Sequence, residues 1–257
     1  TLSAQWPSRP TPNVPKKADG TPDLNAPAPR TADGKPDFSG LWELEKNRPC
    51  PREGCDDMEI SQEFLNLGWN MKEGMPYQPW AAAAVKERRA RFGVDDPWSH
   101  CQPFGVVKFM INPFFRKFFQ LPGVFLMLNE REASYRQIFM DGRSLPQDAF
   151  PTPNGYSVGK WDGDTLVVDT LGIKPSIRGY QGMPHSEKLH ITERIRKVGE
   201  ALHDQITLDD PVVMEKPVTY TLVYKFVPNY EMVEFVCENN REYVDDKGVV
   251  RLQLHGK

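Results

Sequence analysis

The densest run of groups able to move protons, hold an anion or ligate a metal is Pro184-His185-Ser186-Glu187-Lys188-Leu189-His190-Ile191-Thr192-Glu193-Arg194-Ile195-Arg196. His185, His190 and Glu193 suggest a metal set, and strand geometry tests the idea. At about 3.3 Å per residue, His185 and Glu193 stand about 26 Å apart on a straight strand. His185 and His190 would also project to opposite faces of it. A separation of five does not align side chains on a helix either. The run forms no metal site by itself, and no cofactor is expected. A metal ion held by His185 and His190 with a distant carboxylate stays as the alternative. His185, beside Pro184, belongs to the loop entering the strand.

The alternation in this run carries more. Leu189, Ile191, Glu193 and Ile195 share one face, and His190, Thr192, Arg194 and Arg196 share the other. If the apolar face is the core, Glu193 is a carboxyl among aliphatics. Desolvation would then push it toward acid/base use, unless a buried Arg such as Arg136 or Arg143 pairs with it. If the polar face lines a barrel instead, His190 and Arg194 become ligand contacts. A second cluster, Tyr135-Arg136-Gln137-Ile138-Phe139-Met140-Asp141-Gly142-Arg143, contains a turn in which Asp141 accepts from the following amides. Arg143 is there either an anion clamp or a surface partner. The catalytic candidates are therefore His185, Glu193, Asp141 and Arg143. Arg136, His190, Arg194, Trp161 and Tyr156 are the candidate substrate contacts. Asp162, Asp164 and Asp169 flank a two-residue turn, too small to converge enough oxygens on calcium.

These groups must be carried by strands. From residue 106 onward the sequence predicts strands over Val106–Ile111, Lys117–Leu121, Val124–Asn129, Tyr135–Met140, Ser157–Trp161 and Thr165–Thr170. They continue over Leu189–Lys197, Leu202–Leu208, Thr219–Val227 and Met232–Glu238. Asp162-Gly163 predicts a hairpin turn of type I′, Val198-Gly199-Glu200-Ala201 a second hairpin, and Pro228-Asn229-Tyr230 a third. Helices are expected over Ser61–Leu67 and about Trp80–Phe92, the latter with Pro79 in its first turn and Gly93 beyond it. The basic run Lys86-Glu87-Arg88-Arg89 in the second helix reads as a solvated face. The fold expected is mainly β: an antiparallel meander closing into a lipocalin-like barrel or a sandwich, with one or two short helices. Residues 1–37 form a proline-rich extended arm, and 38–257 one domain with a helical insertion near 59–93. The arm holds a near-repeat, Ala18-Asp19-Gly20-Thr21-Pro22-Asp23-Leu24 and Ala32-Asp33-Gly34-Lys35-Pro36-Asp37-Phe38. Each copy reads as a turn and an extended step, with Trp6, Leu24 and Phe38 as anchors.

Composition bounds the partners. The chain of 257 residues carries a formal net charge of -3, which gives no electrostatic reason to expect nucleic acid. Its longest apolar run is far too short for a membrane span. Serine-hydrolase elbows, P-loops, dinucleotide fingerprints and haem-attachment pairs do not occur. The aromatics from Phe104 to Phe125 read as core, a few of them lining an apolar pocket. The small residues at Thr1-Leu2-Ser3-Ala4-Gln5 look like a signal-peptidase border. Cys50 and Cys55 suit a small disulfide loop, with Cys101 and Cys237 left as a long-range pair. Zinc is the rival reading, but no C-x2-C pair supports it. The protein is expected to be periplasmic or secreted.

Further motifs resemble a large, mostly uncharacterised group of exported proteins from soil and environmental bacteria. They are Asp33-Gly34-Lys35-Pro36-Asp37-Phe38-Ser39-Gly40-Leu41-Trp42, Asp96-Pro97 with Cys101 and Pro103, Arg136-Gln137-Ile138-Phe139-Met140-Asp141-Gly142-Arg143, the run from Gly155 to Thr170, and Pro184-His185-Ser186-Glu187. The resemblance implies a bacterial source, export and a barrel-like body, and it supplies no catalytic residues.

Two functions fit these residues. One is an exported hydrolase, lyase or isomerase using acid/base chemistry on a small, partly apolar or sugar-derived substrate, with His185, Glu193 or Asp141, and Arg143 or Arg136 as its machinery. The other is a non-catalytic binder of a small hydrophobic ligand, or of a partner through the arm; the arm could also join identical chains. Convergence of His185, Glu193 and Arg143 on one cleft would favour the enzyme. Their dispersal around a closed apolar cavity would favour the binder.

Overall fold

In the computed structural model, described over residues 14–45, 67, 71, 73–90, 102–103, 105–176, 183–233, 242–244 and 250–252, nine strands close into a barrel. They are β1 (Gly40–Leu44), β2 (Phe115–Leu121), β3 (Val124–Asn129), β4 (Ser134–Phe139), β5 (Tyr156–Asp162), β6 (Thr165–Leu171), β7 (His190–Val198), β8 (Ala201–Asp209) and β9 (Val218–Phe226). Each strand pairs with the next, and β9 pairs with β1 to complete the ring. A separate two-stranded sheet joins β10 (Glu242–Val244) to β11 (Val250–Leu252). None of the described helices is long and apolar enough to cross a membrane.

The two-residue alternation explains which side chains fill the interior. Along β3, Phe125, Met127 and Asn129 are buried while Val124, Leu126 and Leu128 are half-buried. Gly163 and Gly199 turn the β5–β6 and β7–β8 hairpins at φ 59° and 57°, a region that costs glycine nothing.

Three expectations need correction. First, the barrel is not wholly antiparallel: β4 and β5 run parallel, paired through Ile138↔Ser157 and Phe139↔Val158. A parallel pair needs a long crossover, and the proline-bearing segment 140–155 supplies it. Second, Val106–Ile111 is helical, forming α2 (Gly105–Ile111). The run lacks alternation, and every residue from Val106 to Ile111 is buried, Lys108 included, so neither face marks a sheet surface. Third, Pro228-Asn229 makes a turn but no hairpin follows: β9 already has β8 and β1 on its two sides, and Met232 and Val233 are irregular. The rest of the strand expected over Met232–Glu238 lies outside the described residues. So do Trp6, all four cysteines and most of the helix expected over Ser61–Leu67. The other expected helix forms α1 (Pro79–Ala90).

The two barrel ends differ. At one end, α2 lies across the interior and α1 packs beside the β8–β9 connection, where Trp80 Nε1 donates to the Val212 carbonyl at 3.0 Å. At the other end the arm crosses the mouth. Its two near-repeats fold alike. In the first, Gly20 N donates to Lys17 O, Lys17 N to Thr21 O and Asp23 N to Pro15 O. In the second, Gly34 N donates to Thr31 O, Thr31 N to Lys35 O and Asp37 N to Pro29 O. Phe38, ending the second copy, is 1% exposed and meets the Trp161 ring at 5.5 Å between centroids.

Candidate functional site

Inside the barrel the inward positions of seven strands meet in a polar cluster. Arg136 of β4 aims its guanidinium at Glu193 of β7, with Nη1 donating to Oε1 at 2.9 Å and Nη2 donating to Oε2. Nη2 also donates to Thr170 Oγ1 at 2.9 Å, and Nε to Ser157 Oγ at 3.3 Å. Both charged groups are fully buried. Burial alone would lower the Arg136 pKa; the Glu193 carboxylate overrides it and holds the guanidinium charged. Glu193 is thus the paired acid, with Arg136 and not Arg143 as its partner.

Asp204 of β8 also points inward and is 1% exposed. No donor among the described residues reaches either of its carboxyl oxygens. Burial, and then the neighbouring Glu193 charge, push its pKa well above the usual carboxylate range, against Arg136 and Arg116. A proton on Asp204 accounts for both facts, because it gives Glu193 a donor where there would otherwise be a like charge. The Tyr220 hydroxyl nearby has no partner among the described residues, and burial raises its pKa well above the ordinary value.

Arg116 closes the cluster from the α2 side. Its Nη2 donates to the carbonyls of Phe109, Met110 and Asn112 at 2.6, 2.7 and 2.7 Å, gathering the orphan acceptors of the helix end. Its guanidinium also stands 5.4 Å from the centre of the Tyr224 ring. The short helix is thereby fastened across the barrel and the polar cluster is sealed from solvent.

The remaining sequence candidates do not converge on it. Asp141 and Arg143 pair on the outer face, where Arg143 Nη1 also reaches Tyr156 Oη at 3.0 Å and its guanidinium covers the Phe139 ring at 4.0 Å. Tyr156 and Arg136 therefore lie on opposite sides of the barrel wall. His190 and Arg194 are outside as well, paired with Asp169 at 3.2 Å and Asp162 at 2.9 Å. The idea that the polar face of β7 lines the interior is overturned: the apolar face fills the core, as hydrophobic burial requires. His185 is 7% exposed near the helical end, paired through its backbone with Ser176. Burial lowers its pKa, opposed by the Asp210 carboxylate and a backbone bond at Ser186. His185 and His190 thus occupy different environments, and among the described residues no three His, Cys, Asp or Glu side chains gather as metal ligands. Trp161 faces inward at the armed end, against Phe38 and away from the polar cluster.

Asp204, Arg116, Tyr220 and Lys197 were missed. Asp204 carries the same signal as Glu193, an acid in the apolar phase of Leu202, Asp204, Ile206 and Leu208. Arg116 alternates with Phe118 in the same way, but nothing in that pattern points to a helix end as its partner.

Among the described residues, two hollows lie at the armed mouth. A cleft of about 370 Å³ runs between the arm and the barrel rim, lined by Leu24, Phe38, Trp42, Phe118, Phe226 and Lys197 among others. A second hollow of about 340 Å³ lies on the other side of the strap Asn25-Ala26-Pro27-Ala28-Pro29, and Ala26, Pro27, Ala28, Phe38 and Lys197 border both. The strap is tied at its ends. Lys197 Nζ donates to Leu24 O at 2.7 Å and Asn25 Nδ2 to Glu200 Oε1 at 2.7 Å. Arg30 grips Asp164 with two bonds of 2.7 and 2.8 Å. Burial among these groups lowers the Lys197 pKa, opposed by Glu200 and Asp23. A scan against protein-family models finds none that matches the chain, and a search of curated proteins finds no match either.

Proposed function

We propose that this protein binds a small apolar ligand in the cleft beneath its arm, as a non-catalytic module of the periplasmic or secreted setting that the sequence resemblance implies. The observation that carries the reading is the 370 Å³ cleft walled by Leu24, Phe38, Trp42, Phe118 and Phe226. Its volume falls in the range of about 300–1,000 Å³ common for small-molecule sites. Dispersal of the acid/base candidates supports the same choice. Glu193 is sealed inside, Asp141 and Arg143 are paired outside, and His185 sits at the far end. The enzyme reading would need these groups at one solvent-reachable point.

Titration with the neutral, polarity-sensitive dye phenylnaphthylamine tests this directly. One saturable site is expected, together with quenching of tryptophan emission. Ala28→Trp places an indole in the cleft and should remove the site while leaving the urea midpoint near wild type. Unsaturable binding, or binding unchanged by Ala28→Trp, would remove the cleft from consideration.

A further inference from the structure

Resting on the ligand-binding reading, we infer that the ligand is a medium-chain aliphatic monocarboxylate whose head group is held by Lys197. The two hollows meet along the strap, so the space they offer is elongated, which suits a chain better than a disc. Both carry charge, but they differ in apolar wall. The larger adds Leu24, Trp42, Phe118, Phe119 and Phe226 beside Asp23, Asp37 and Lys117, whereas Arg30, Asp164, Thr165 and Arg196 line the smaller. A ligand with an apolar tail and a polar head would lie across that boundary with the tail in the larger hollow.

Lys197 stands at the boundary, since it borders both spaces. It is the last inward position of β7, and the polar inward group facing the same mouth from β2, Gln120, is taken up by Phe38 N and Pro36 O. Its ammonium has three donors, and among the described residues Leu24 O is its sole hydrogen-bond partner. Asp23 and Glu200 lie near enough to act on its charge, yet neither forms an ion pair with it. Asp23 Oδ1 accepts from Asn25 N, and Glu200 Oε1 accepts from Asn25 Nδ2. Arg196, exposed beside the smaller hollow, forms no hydrogen bond among the described residues and adds positive charge there. Asp164 in that hollow is taken up by Arg30. A half-buried ammonium with donors to spare, flanked by apolar walls, matches a carboxylate on a hydrocarbon chain. It leaves a neutral head without charge-assisted bonds.

The test compares decanoate with decanol, which keep the tail and change the head, by displacement of phenylnaphthylamine. Wild type should bind decanoate at least about tenfold more tightly than decanol, the gain of one charge-assisted contact. Lys197→Met should bring the two affinities together by weakening decanoate alone, and Lys197→Arg should keep the preference. Equal binding of both by wild type would overturn the carboxylate assignment and leave the apolar cleft standing. Displacement by neither would overturn both readings. A preference for decanoate that survives Lys197→Met would remove Lys197 as its anchor.

Discussion

The two ends of this barrel are closed by opposite means. At the helical end, α2 is held by Arg116, whose Nη2 collects three main-chain carbonyls inside the barrel. At the armed end, a proline-bearing strap is tied by a few exposed polar contacts above two hollows. Buried polar groups held by several hydrogen bonds are costly to separate, whereas exposed ion pairs hold weakly and yield to solvent. The difference assigns rigidity to one end and access to the other.

The largest change should come from halving the buried ion pair. Arg136→Ala strands Glu193 in the core and is expected to cost about 3–5 kcal/mol, measured by urea unfolding. The double variant Arg136→Met with Glu193→Leu should recover most of that loss, because an apolar pair leaves no buried charge behind. A double variant as unstable as the single one would mean that the pair organises the barrel beyond its own charge. Next, Arg116→Met releases the α2 carbonyls and should cost about 2–3 kcal/mol. Hydrogen exchange should quicken in α2 and stay unchanged in the arm; equal change at both ends would erase the contrast.

A pH series sharpens it further. Asp204 is raised in the folded state, so its protonated form stabilises the fold fully below the unfolded carboxyl pKa of about 3.9. That contribution fades as pH climbs from there toward the raised folded value. Asp204→Asn should therefore match wild type near the acid limit and become progressively more stable than wild type toward neutrality. Parallel urea-midpoint curves would show that Asp204 titrates alike in the folded and unfolded chain and would remove the buried proton. The smallest effect on stability belongs to Arg30→Ala, which removes an exposed pair. The urea midpoint should hold while limited proteolysis of the arm quickens severalfold. A midpoint that drops with it would make the arm part of the cooperative core.

Sequence patterning was most informative where one face is buried. The alternation of β7 placed Glu193 with the core residues, and Asp162-Gly163 marked the β5–β6 hairpin. The two-residue loop of that hairpin is Gly163-Asp164 with Gly163 alone at positive φ, and so is not the type I′ turn expected. Patterning failed where both sides of a segment are buried. Val106–Ile111 reads equally as a central strand or an enclosed helix, and the tertiary fit of α2 decided the matter. Partners were harder than faces. Two candidate arginines stood open for Glu193, and only closure of the ring brought Arg136 inward and left Arg143 outside. Lys197 drew no notice because its chemistry comes from a strap many residues away along the chain.

The paired turns of the arm bear on how fast the mouth can open. Each copy is closed by its own main-chain hydrogen bonds, from Lys17 to Thr21 and from Thr31 to Lys35, and the second is held to β2 as well, where Gln120 bonds Pro36 O and Phe38 N. When the tethers to Lys197, Glu200 and Asp164 let go, the first copy need not melt and the second stays seated on Gln120. The arm then moves as a hinged shutter and not as a loose thread, so reclosing orders only the short strap between them. The entropic barrier to shutting is correspondingly small, and exchange at this mouth should be set by the breaking of a few polar contacts, not by refolding of the arm.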